Sequence, residues 1–236
     1  MVKSALMDSW NLFTNNILGI SLIVLPIIIP IEILTSIYTY NLPEAETVTA
    51  EEFYPLSISL LFYPIYSVAV VVYISSVVNN NTYTLGQLYK SGLRFYISFA
   101  IMSILIGLIF FGGLLLLILP GIYFLIRYTL SEFYLVLEEA KPLDAMRKSW
   151  EISNNYIITL FLGYIVIALC LTSPALALNY FLEEGTDIYH LVNTGENIVF
   201  SVLNTFYTIY AYRIYEHSKE NITSSSSGTT KTQVAP

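Results

Sequence analysis

An all-α polytopic membrane protein is the fold class this sequence predicts: six transmembrane helices, arranged as three hairpins, each preceded by a cytoplasmic amphipathic surface helix. Three observations carry that expectation. The 236 residues are 56% hydrophobic and only 11% charged, with a mean hydropathy of +0.66. A soluble domain carries about 25% charged residues, and surface must exist somewhere. Six apolar stretches approach the ~20 residues that a helix needs to cross a bilayer core. Finally, the basic residues sort to one set of loops.

The elements follow in order. Lys3 precedes an apolar run, but Asp8 and Trp10 interrupt what would be the charged region of a signal peptide. The run therefore reads as a retained first span. Spans are expected near 17–40, 55–78, 95–119, 121–138, 156–182 and 197–215, within one membrane domain covering 1–218. The third and fourth come from a single apolar block, with the turn expected at Pro120-Gly121. The loop at 41–54 holds Glu44, Glu46, Glu51 and Glu52, and the loop at 183–196 holds Glu183, Glu184, Asp187 and Glu196; neither has a Lys or Arg. Lys3, Lys90, Arg94, Lys141, Arg147, Lys148, Arg213, Lys219 and Lys231 fall on the other side, and Arg127 falls within a span. The positive-inside rule then puts both termini in the cytoplasm. The polar, low-complexity residues 219–236 are expected to form a disordered cytoplasmic tail.

Residues 142–153 divide cleanly on a helical wheel. Leu143, Met146, Ser149, Trp150 and Ser153 fill one half; Lys141, Asp144, Arg147, Lys148 and Glu151 fill the other. This predicts a surface helix near 142–154 that turns the chain from the fourth span into the fifth, with Trp150 at headgroup depth. At an offset of 140 the N-terminus repeats the pattern: Ser9-Trp10 matches Ser149-Trp150, and Leu12 matches Ile152. A weaker copy, without tryptophan, covers residues 84–97. Surface helices are accordingly expected near 3–15 and 84–94, giving a unit used three times in parallel.

The third unit carries a signature, "PGIYFLIRYTLSEFYLVLEEAKPLDAMRKSWEISNNY", formed by Pro120, Gly121, Ile122, Arg127, Glu138, Pro142, Leu143, Ala145, Ser149 and Trp150. It resembles the YciC family of six-span prokaryotic inner-membrane proteins. It is also similar to the membrane domain attached to some glycerophosphoryl diester phosphodiesterases. The resemblance implies a protein of the prokaryotic cytoplasmic (inner) membrane from a family without a settled function. The sequence holds no soluble catalytic domain, so no hydrolase activity carries over.

Glu32, Arg127 and Glu132 fall inside expected spans, where each costs roughly 2.5–3.5 kcal/mol at a helix centre unless it is partnered or hydrated. Counting residues puts Arg127 about 9 Å and Glu32 about 12 Å below the outer ends of their spans, so the two are expected to pair. Arg127, Ser131, Tyr134 and Glu138 recur at helical spacing and form a candidate polar stripe. Glu132 lies off it by about 140°. Either the stripe holds a phosphate or carboxylate at Arg127, or a buried ion pair fixes helix register.

The two histidines and single cysteine do not make a metal site. There is no phosphate-binding loop, no catalytic constellation, no cofactor motif and no feature suited to nucleic acid. The leading expectation is a non-enzymatic membrane protein that binds or organises membrane lipid or a partner protein. The alternative is a small transporter or channel-like protein using Glu32, Arg127 and Glu132.

Overall fold

The computed structural model describes residues 1–40, 53–180 and 186–229. Among the described residues the chain is all-helical. The nine helices are α1 (Val2–Tyr40), α2 (Tyr54–Val78), α3 (Leu85–Leu116), α4 (Ile118–Tyr128), α5 (Ser131–Leu137), α6 (Pro142–Ser153), α7 (Ile157–Tyr180), α8 (Asp187–Leu203) and α9 (Thr205–Thr229). Four of them, α1, α2, α3 and α7, are long and apolar enough to cross a membrane.

Two of the three expected surface helices do not exist as separate elements. The segments 3–15 and 84–94 are the first turns of α1 and α3 and run without a break into the apolar stretches. The polar residues after Trp10 do not stop the helix because their side chains fold onto its own backbone. Thr14 Oγ1 donates to the Trp10 carbonyl at 2.9 Å and Asn16 Nδ2 to the Leu12 carbonyl at 2.8 Å. At α3, Thr84 and Gln87 form a capping box that fixes the helix start. Only α6 stands alone. Pro142 occupies its first turn, and turn-type bonds from Asn155 N to the Ile152 carbonyl and from Tyr156 N to the Ser153 carbonyl separate it from α7.

The expected fourth and sixth spans are both interrupted. Residues 121–138 divide between α4 and α5, with the break at Thr129-Leu130. Residues 197–215 divide between α8 and α9, with the break at Asn204. Within the loop expected at 183–196, residues 187–196 are helical; residues 41–52 and 181–185 lie outside the described residues. The turn between α3 and α4 falls at Leu117, whose backbone is extended (φ −167°, ψ 153°), and not at Pro120-Gly121. Pro120 sits in the first turn of α4, where its missing N–H has no helical acceptor to lose. Gly121 serves a different purpose: a Cβ on Gly113 would lie 2.7 Å from the Gly121 Cα, so the two glycines let α3 and α4 approach closely.

The tail also departs from expectation. Residues 219–229 continue α9, and residues 230–236 lie outside the described residues. Once a helix is held by packing, each further residue adds a hydrogen bond without a new nucleus. Asn221 Nδ2 is itself tied to the Tyr156 hydroxyl at 3.0 Å.

The core runs along α1, α2, α5 and α9. Ile20, Ile23 and Val24 of α1, Val68 and Val71 of α2, Phe133 and Leu135 of α5, and Ile209, Tyr210 and Ala211 of α9 are all inaccessible. The C-terminal half of α1 is tied to α8, by Thr194 Oγ1 donating to Ser36 Oγ at 2.7 Å and by the Tyr40 and His190 rings. The N-terminal part of α1 is tied to α9 by Trp10 and Phe13 against Phe206. Pro26 and Pro30 lie within α1. Pro26 leaves a carbonyl one turn earlier without a helical donor. The Tyr89 hydroxyl of α3 reaches that point, 2.8 Å from the Ile23 carbonyl and 3.4 Å from that of Leu22.

Candidate functional site

Two polar centres emerge, and neither is the pair expected from sequence. Among the described residues no ion pair joins Glu32 to Arg127. Glu32, on α1, faces the side-chain amide of Asn197 on α8 and lies near Tyr66 of α2. Arg127, in the last turn of α4, turns to α6 instead. The break after α4 brings its C-terminal end against α6, so Arg127 sits with α6 and not beside α1.

Arg127 is 4% exposed. Its Nη1 donates to Asn154 Oδ1 at 2.8 Å, and its guanidinium stands 4.2 Å from the centre of the Trp150 ring. Its carbonyl accepts from Ser149 Oγ at 2.7 Å and from Ser153 Oγ at 3.0 Å. Tyr123, Phe124 and Tyr128 complete the surroundings of Trp150, with ring centroids 5.5–6.0 Å away. The Ser-Trp motif thus acts inward: both residues of α6 bind the end of α4. The matching residues of α1 behave differently. Ser9 is buried but donates to its own helix, at the Ala5 carbonyl, while Trp10 is 53% exposed and, among the described residues, makes its ring contacts with Phe13 and Phe206.

The expected stripe splits at the Thr129-Leu130 break. Ser131 donates back to the Tyr128 carbonyl and closes that turn. Tyr134 and Glu138 face α9 and α6. Tyr134 is buried against the Tyr215 ring at 5.2 Å. Glu138, just beyond α5, takes Lys148 of α6 at 2.9 Å, Lys219 of α9 at 3.0 Å and the Tyr215 hydroxyl at 3.0 Å. One carboxylate therefore joins three helices. Burial by itself raises the Glu138 carboxyl, but the hydrogen bonds from Lys148, Lys219 and Tyr215 outweigh it and hold the group below its ordinary value. A carboxyl lowered in the fold contributes stability above its unfolded pKa, about 4.3, and loses it as pH falls through the folded value. The melting-temperature advantage of wild type over Glu138→Gln should therefore be constant above about pH 5 and shrink toward pH 3. A gap unchanged down to pH 3 would contradict the tie.

Glu132 marks the second centre. It lines a cavity of about 520 Å³ between α2, α3, α4, α5, α7, α8 and α9, in the size range of small-molecule sites, roughly 300–1,000 Å³. Both helix breaks open onto it: Thr129, Ser131 and Glu132 on one side, Asn204 and Thr205 on the other. Glu132 is half-buried, and among the described residues no hydrogen bond or ion pair reaches its carboxylate. Tyr63 of α2 and Tyr164 of α7 lie within electrostatic reach of it. The sequence pattern does not single these tyrosines out as a site. Tyr63 and Tyr66, three apart in the middle of an apolar run, and Tyr164, well inside another, were the available signal.

Fold and site together define a protein that is all-helical among the described residues, with apolar helices of membrane-crossing length around an open cavity of mixed apolar, aromatic and polar lining. Comparison of the chain with protein-family models, with curated proteins and with solved structures finds no match.

Proposed function

We propose that the chain is a non-enzymatic integral membrane protein that binds a polar ligand within the bilayer, in the cavity around Glu132. In this reading the bundle has six crossings. α1, α2, α3 and α7 cross unbroken, and α4–α5 and α8–α9 cross as interrupted helices. The positive-inside rule supports both termini on the cytoplasmic side, and the resemblance of the third unit supports a prokaryotic cytoplasmic membrane. This keeps the membrane-lipid reading and the transporter reading of the sequence within one site, and moves that site from Arg127 to Glu132.

The observation that supports it best is where the two interruptions meet. Broken helices at membrane depth leave backbone groups without helical partners, and are tolerated where they are buried in protein or line a hydrated cavity. Interrupted helices are a recurrent way of building a ligand site at that depth. Here both breaks face the same cavity, together with an acidic side chain that has no protein partner among the described residues. A carboxylate so placed is costly unless a ligand, a proton or water answers it. Arg127, by contrast, is occupied by Trp150 and Asn154 and acts as a brace for α6.

The test is extraction of wild type and Glu132→Gln into native nanodiscs, followed by mass spectrometry of the co-isolated small molecules and lipids. The substitution changes one atom, and its thermal unfolding reports whether the fold is intact. A species enriched over the bulk membrane with wild type and missing with Glu132→Gln is the expected result. Equal retention by both, or none by either, would overturn the proposal.

A further inference from the structure

We infer that the Glu132 cavity takes an organic ammonium cation, a bulky and weakly hydrated positive group. This rests on the proposal that the cavity binds a ligand at all, and names its chemistry.

The lining decides the sign of the charge. Among the described residues that line the cavity, Glu132 is the one carboxylate, and no Lys, Arg or His joins it. An anion would meet an unscreened carboxylate in a low-dielectric site. The aromatic walls decide the kind of cation. Tyr63 and Tyr66 of α2 and Phe99 of α3 form one cluster, with Tyr63 lying 5.6 Å from Tyr66 and 5.8 Å from Phe99. Tyr164 of α7 and Tyr207 of α9 form a second, edge to face at 5.2 Å. Glu132 lines the same cavity and lies within electrostatic reach of Tyr63 in the first cluster and Tyr164 in the second.

A divalent metal ion asks for several oxygen or nitrogen ligands with carboxylates among them, and among the described residues no three His, Cys, Asp or Glu gather to hold one. An organic ammonium asks for less. Aromatic faces attract it, and a single carboxylate balances its charge. The hydroxyls of Ser131 and Thr205 and the amide of Asn204, also on the lining, accept any N–H it carries. The group has two sources, a free ammonium solute or the amine headgroup of a lipid.

Wild type would be placed in nanodiscs of phosphatidylglycerol, which has no amine, and its melting temperature followed while tetramethylammonium chloride or an equal concentration of sodium chloride is added. Tetramethylammonium should stabilise wild type and sodium should not. Glu132→Gln should lose the response. Tyr164→Leu should weaken the apparent affinity about tenfold, while Tyr164→Phe, which keeps the ring, should retain it. A parallel sample in phosphatidylcholine nanodiscs separates the sources. If the headgroup is the ligand, that lipid stabilises wild type over Glu132→Gln and blunts the added tetramethylammonium; if a free solute is, tetramethylammonium acts equally in both discs. Sodium matching tetramethylammonium, Tyr164→Leu titrating like wild type, or no response in either disc would overturn the ammonium assignment. If any of these occurs while mass spectrometry still finds a species lost with Glu132→Gln, only the ligand class is wrong. If that species is missing too, the binding reading falls with it.

Discussion

Trp150→Ala should lower the unfolding free energy by about 3 kcal/mol, whereas Trp10→Ala should cost about 1 kcal/mol. The sequence presents the two tryptophans as equivalent, both following a serine and both opening a unit. Their surroundings are not equivalent. Trp150 lies 4.2 Å from the Arg127 guanidinium and within 6.0 Å of Tyr123, Phe124 and Tyr128. Its loss removes the closer of two cation–π contacts, leaving the Tyr123 ring at 5.8 Å and Asn154 as the side-chain acceptor of a buried arginine. A buried charge stripped of a partner is among the larger penalties known in proteins. Trp10 is more than half exposed and gives up two ring contacts. Denaturant or thermal unfolding in one membrane mimetic measures both variants side by side. Equal losses would mean that α6 is not anchored through Arg127.

Gly92→Leu should be comparably damaging, at about 3 kcal/mol, while Gly112→Leu should stay within about 0.5 kcal/mol of wild type. A Cβ on Gly92 would strike the carbonyl oxygen of Ile65, which belongs to the backbone of α2. No rotamer change relieves a clash with backbone, so α2 and α3 must separate. Their joint packing supports Tyr63 and Phe99, one wall of the cavity. Nothing lies within 4 Å of a Cβ on Gly112. Two glycines in one helix should thus respond in opposite ways, and unfolding curves of the two variants settle the matter. A tolerated leucine at position 92 would argue against the close approach.

The helical class, the long apolar helices and the independent helix at 142–154 were legible because each rests on a local pattern: hydropathy over twenty residues, or a clean polar–apolar division over twelve. The interruptions were not. Nothing at Thr129-Leu130 or Asn204 breaks a helix by composition; tertiary packing places those turns. The expected Glu32–Arg127 pair failed for a related reason. Residue counting assumes straight helices with a common origin, and the α4–α5 break moves Arg127 to α6. The repeat misled for the opposite reason: a shared motif at Ser9-Trp10 and Ser149-Trp150 says nothing about whether the helix that carries it stops. Glu132 was named from sequence as an intramembrane charge, but the tyrosines around it come from distant helices, and no spacing along the chain records that meeting.

The way α1 is fastened has a mechanical meaning. Its C-terminal half is pinned to α8 and its N-terminal part to α9. Pro26 and Pro30 fall between those two attachments, and so, at the junction of α8 and α9, does Asn204. Two rods clamped at both ends, each with a weak point between the clamps, form a linkage: neither flexes without carrying the other. Because Asn204 also lines the cavity, a change in the angle of that linkage changes the shape of the space around Glu132.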